Sequence, residues 1–241
     1  MGKVIKNTIL ILLILSLGIC TAFLAYLHFF KSDDGSLSGE WTAELDLTEQ
    51  AAVTAFIWMQ DIEAVTVSFK DVESGMRKLT IQVDLNLEAA TDTEGSFRCS
   101  ILPESYDVCE QAAYEAFAAE FKELLAERLR MAGYTGGMDE EDIEALVAET
   151  FGMSTVSYLM AYGPALLPSL EDLQAQYDGN GTYEAAEGIL TWRYDNGTTK
   201  TENYVWDNFS LVLSEKEDSD GQGQKPAILI FRKKVSGEET Q

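Results

Sequence analysis

Residues 189–207 read ILTWRYDNGTTKTENYVWD, and this stretch decides the fold. Asn196-Gly197 is a strong hairpin turn signal, because glycine and asparagine accept the positive φ that such turns use. On both sides of it the pattern has a period of two. Trp192 and Tyr194 flank Arg193 before the turn, and Tyr204 and Trp206 flank Val205 after it. Side chains two apart on a strand share a face. Trp192, Tyr194, Tyr204 and Trp206 therefore form the candidate ligand-contacting set, as the lining of a barrel or as an aromatic platform.

The same period extends outward from the hairpin. TYEAAEG (182–188), FSLVLSEK (209–216) and PAILIFRKK (226–234) read as further strands, about ten residues apart, which indicates an antiparallel meander. WTAELDL (41–47) alternates through Trp41, Ala43, Leu45 and Leu47. Strands are also expected near 63–70, 77–88 and 95–102. A helix started by Thr48 is expected over 48–61. Mid-chain the period changes to that of a helix: Tyr114, Phe117, Phe121, Leu124, Leu125 and Leu129 share one face. Asp107 with Glu110 resembles a capping box. Further helices are expected from the acidic run at 139–142 to Gly152, from Ser154 to Tyr162, and from Ser169 to about Gln176. The reading is about nine strands, with the helices mostly grouped mid-chain.

The N-terminus reads differently. TILILLILSLGICTAFLAYL (8–27) carries no charge over 20 residues. At about 1.5 Å per residue, a helix of that length crosses the roughly 30 Å hydrocarbon layer. Lys3 and Lys6 precede it, so the positive-inside rule places the N-terminus in the cytoplasm and the remainder outside. The domains expected are a stub (1–6), a transmembrane signal-anchor (7–30), a linker (31–38), an extracytoplasmic domain (39–234, helical insertion about 104–177) and a tail (235–241). The alternative is a lipoprotein anchored at Cys20. Against it, Ile19 is bulky where a small residue is wanted, and the apolar run continues past the cysteine.

Beyond the apolar run stand 15 Lys and Arg against 41 Asp and Glu, a charge of −26. Such a surface repels phosphate backbones, which makes nucleic acid an unsuitable partner. His28, the only histidine, lies in or beside the membrane segment, at its outer edge. A Ser-His-Asp or Cys-His nucleophile therefore has no base, and no phosphate-binding glycine motif occurs. The expectation is no enzyme, no cofactor and no metal site. Asp218-Ser219-Asp220-Gly221 begins like a calcium loop, but the pattern breaks at Gln222. The carboxylates of 139–144 are read as a helix start, where acids meet the dipole favourably. Cys99 and Cys109, in an exported domain, suggest a disulfide joining a strand end to a helix start.

Gly39-Glu40-Trp41 resembles the G-x-W that opens the first barrel strand of lipocalins, and Arg232 resembles the arginine of the last strand. The domain is similar to the lipocalin-like class of bacterial exported domains. That resemblance implies an antiparallel barrel or curved sheet with Arg232 stacked on Trp41, a cation on an indole face. The mid-chain helices depart from the family pattern. The fold class expected is α+β: a transmembrane helix, then a lipocalin-like barrel with a helical insertion. The function expected is binding without catalysis. The partner is an apolar small molecule or lipid near the membrane or, alternatively, a cell-envelope protein held by the helical block.

Overall fold

The computed structural model describes residues 37–60, 68–215 and 228–234. They contain eight strands that close into an antiparallel barrel in simple meander order. The strands are β1 (Gly39–Asp46), β2 (Thr80–Ala89), β3 (Glu94–Ile101), β4 (Gly179–Ala186), β5 (Ile189–Tyr194), β6 (Thr199–Trp206), β7 (Ser210–Glu215) and β8 (Ile228–Lys233). The helices are α1 (Thr48–Gln60), α2 (Phe69–Gly75), α3 (Pro103–Met131), α4 (Glu140–Phe151), α5 (Thr155–Tyr162) and α6 (Leu170–Tyr177).

Alternation sets the barrel register. Ile81, Val83, Leu85 and Leu87 of β2 all point inward and are buried. They sit opposite Leu45, Ala43, Trp41 and Gly39 of β1 across eight paired positions. The predicted hairpin forms with Trp192 opposite Lys200, and Gly197 takes a φ of 87° in the turn. The seam between β1 and β8 is the shortest ladder, with three pairs from Trp41–Lys233 to Ala43–Phe231.

In an up-and-down barrel, alternate connections emerge at the same end. The β1–β2 connection carries α1 and α2, and the β3–β4 connection carries α3 to α6. Both insertions therefore leave from one end of the barrel. Their apolar faces merge with the barrel interior into one core, in which Met59, Val72, Met76, Phe117 and Leu159 join Trp41, Leu190 and Phe231. Trp58 packs edge-on against Phe117 at 5.5 Å. The Tyr106 and Tyr114 hydroxyls donate to the Pro168 and Pro164 carbonyls at 3.0 and 2.9 Å, fastening α3 to the segment before α6.

Local chemistry accounts for most helix ends. Asp139 and Asp142 form a reciprocal capping box at the start of α4, and Gly152 ends that helix in the left-handed region. Ser154 and Ser169 cap α5 and α6 through their hydroxyls.

Several expectations are corrected. The strand expected at 63–70 is not formed at its described end, because Ser68 accepts from the Asp71 N–H and starts α2 at Phe69; residues 63–67 lie outside the described residues. Asp107 does not start a helix. Pro103 stands in the first turn of α3, where its missing N–H costs nothing, and the helix runs unbroken for 29 residues. The loop that a Cys99–Cys109 disulfide would have bridged is therefore helical from Pro103, and both cysteines are free. Among the described residues no helix is long and apolar enough to cross a membrane. The 7–30 segment, Cys20, His28 and the 218–221 loop lie outside the described residues.

Candidate functional site

The floor of the barrel, at the end away from the helices, is built around Trp41. Its indole N–H donates to the Leu37 carbonyl at 3.0 Å, and its ring is 1% exposed. The cation over this ring is Lys233 Nζ, 5.3 Å from the ring centroid. Arg232 is not that cation. Phe231 points into the core, so strand alternation turns Arg232 out to solvent and brings Lys233 back in. The lysine stem crosses Gly39 so closely that a Cβ there would lie 2.7 Å from Lys233 Cε, and Gly39 has a φ of 143°. The glycine and tryptophan of the motif thus have separate structural tasks: one clears a path for the cation, the other receives it.

Inside the barrel the four candidate aromatics divide. Trp192 and Tyr194 meet Phe97 edge-on, with centroids at 4.7 and 5.1 Å. Tyr204 and Trp206, opposite Leu213 and Leu211 on the adjoining ladder, pack against the core but do not line the interior crevice. That crevice is bounded by Phe97, Cys99, Trp192, Tyr194, Glu202 and, from α6, Tyr177. Its volume is about 40 Å³. A water needs about 10–15 Å³ measured in this way, so the crevice holds a few waters and no larger guest.

Sequence reading overlooked one member of this group. Glu202 is 7% exposed. It accepts from the Trp192 indole N–H at 2.7 Å and pairs with Lys200 Nζ at 2.9 Å. Its period-two spacing from Tyr204, which faces inward, was the available signal. The Cys99 thiol shares these surroundings, where burial first, and then the negative charges of Asp178 and Glu202, push its pKa up to about 12. Cys109 sits elsewhere, on α3; burial, then Asp46 and Glu110, push its thiol up to about 11. Neither thiol has the character of a nucleophile.

The helical layer presents a second aromatic group. Phe151, at the end of α4, meets Tyr158 of α5 at 4.4 Å, and Tyr158 meets Tyr162 at 5.4 Å. Phe151 is 48% exposed and Tyr162 67% exposed, while Tyr158 between them is half-buried. The corner is held from beneath. Thr155 N–H donates to Glu144 at 3.0 Å, and Lys122 of α3 reaches both Glu140 at 2.7 Å and Glu144 at 3.4 Å. Burial pushes the Lys122 pKa down, but those two carboxylates outweigh it and hold the value above the ordinary lysine range.

No group of acidic, histidine or cysteine side chains suited to a metal occurs among the described residues. Compared with known proteins, the chain matches no family model, no curated protein and no solved structure.

Proposed function

We propose that this chain is a membrane-anchored, extracytoplasmic binding module without catalytic activity, and that its working surface is the helical layer. The observation that carries this reading is the filled barrel. Binding pockets for small molecules span about 300–1,000 Å³, whereas the interior crevice measures about 40 Å³. The uncharged 8–27 run, preceded by Lys3 and Lys6, supports the anchor and its orientation.

A second reading places an apolar small molecule or lipid inside the barrel. It is favoured by the Phe97, Trp192 and Tyr194 rings around the crevice, and it requires Tyr177 and α6 to move away. Native mass spectrometry of the full chain, released from detergent, separates the two. The bare protein mass is the expected result. Extra mass that disappears on denaturation would reveal a retained guest and overturn the leading reading.

A further inference from the structure

We propose that the Phe151–Tyr158–Tyr162 row is a docking surface for a basic, arginine-containing segment of a partner protein, a proposal that rests on the helical-layer reading above. The row is a run of partly stacked rings, with Tyr158 between the more exposed Phe151 and Tyr162. Successive rings are tilted by only 34° and 40°, so they lean together rather than meeting edge to face. Each large apolar side chain left in water forgoes the free energy of its burial. A folded domain that leaves Phe151 and Tyr162 exposed on either side of a half-buried Tyr158 retains an apolar surface that a partner can cover.

Charge selects the partner. From Thr150 to Leu170 the chain has no charged residue, and between Arg130 and Arg193 it has no lysine or arginine at all. The acids of this region are Glu140, Glu141, Asp142 and Glu144 on α4, and Glu149 two positions before Phe151. The cation that reaches this corner, Lys122, has a side chain only 13% exposed and is engaged by Glu140 and Glu144. The ring faces therefore lie in a negative field, with no basic residue on α4, α5 or α6 to cover them.

An aromatic face attracts a cation, and a guanidinium stacks on it flat. Anionic lipid and nucleic acid are repelled by the same field. A second copy of this chain carries the same excess of acid. A basic segment satisfies both features at once, with arginine on the rings and its neighbours facing the α4 carboxylates.

The test uses the full chain in detergent micelles and three fluorescent dodecapeptides: alternating Arg-Pro, Lys-Pro and Glu-Pro. Anisotropy is expected to show binding of Arg-Pro, several-fold weaker binding of Lys-Pro, and none of Glu-Pro. Phe151→Ala with Tyr162→Ala should weaken Arg-Pro about ten-fold, a loss of about 1.4 kcal/mol. The thermal midpoint should be unchanged, because both side chains are exposed. Val205→Ala, 72% exposed on β6, should leave binding unchanged. Equal affinity for Arg-Pro and Lys-Pro, or full affinity in the double variant, would mean that charge alone is read and would overturn the proposal. Absence of Arg-Pro binding overturns it too. If the native mass is then bare, only the partner chemistry fails; a retained guest would show that the helical-layer reading has failed with it.

Discussion

The Phe97–Trp192–Tyr194 group inside the barrel and the Phe151–Tyr158–Tyr162 row on the helical layer have similar ring spacings and opposite surroundings. Inside, the rings cross at 66° and 88°, and the one indole N–H ends on a buried carboxylate. Outside, the rings lean together and water reaches their edges. Ring spacing alone does not distinguish a structural cluster from a recognition surface. The difference lies in what closes over the rings: six other strands in one case, whereas Phe151 and Tyr162 stay exposed in the other.

The largest break in this comparison should come from alkali. Burial raises the pKa of Tyr106 to about 12 and lifts Tyr183, Tyr194 and Tyr204 above the ordinary 10.0, alongside the thiols of Cys99 and Cys109 above their ordinary 9.0. Each is an acid kept in its protonated form by folding. Its contribution to stability is full below the ordinary value and is lost as pH rises through the folded value. The barrel should therefore stay folded to about pH 9 and unfold by about pH 12. Phenolate absorbance should rise together with the loss of circular dichroism. Complete ionisation of the tyrosines while the dichroism persists would contradict the assigned burial.

Next in size is Trp192→Ala. Removing a buried aromatic should cost about 3–5 kcal/mol in urea unfolding, whereas Tyr162→Ala should stay within about 0.5 kcal/mol. Equal costs would erase the contrast between the two groups. Glu202→Ala leaves the Trp192 N–H and Lys200 without their shared acceptor, and should cost about 1–3 kcal/mol. Glu202→Gln, which keeps an acceptor for the indole, should recover part of that loss. The smallest effect sharpens the helical side. Asp139→Ala removes the capping box of α4 and should cost about 1 kcal/mol. Arg-Pro affinity should fall with it if α4 must be held in place to present Phe151.

Much of this was legible in the sequence because the signals were local. Asn196-Gly197 named its own turn, and Asp139, Ser154, Ser169 and Gly152 marked their helix ends. The β2 alternation at 81–87 gave both the strand and its buried face. What was missed depended on parity or on competition between neighbours. VTVSF (65–69) is β-branched and reads as strand, yet Ser68 offers a cap and the chain turns helical at Phe69. Asp107 and Glu110 have capping-box spacing, but Pro103 begins the same helix earlier. Arg232 and Lys233 are adjacent cations, and only the inward placement of Phe231 decides which one reaches Trp41. The exposure of the Phe151–Tyr158–Tyr162 row could not be read at all. Its period fits a buried helix face, and nothing local tells which neighbours come to cover it.

The barrel's first and last strands meet at the floor, where the Lys234 N–H donates to the Glu40 carbonyl at 2.8 Å. The fold is thus a ring of hairpins whose break happens to fall between β8 and β1. A short linker from Lys234 back to Leu37, with new ends opened at the Glu187-Gly188 turn on the same side, would rewrite the order of the chain without disturbing a single ladder. Such a circular permutant keeps both helical insertions intact and leaves the opposite end of the barrel untouched. It would show whether the helical layer needs its native place in the chain or only the barrel beneath it.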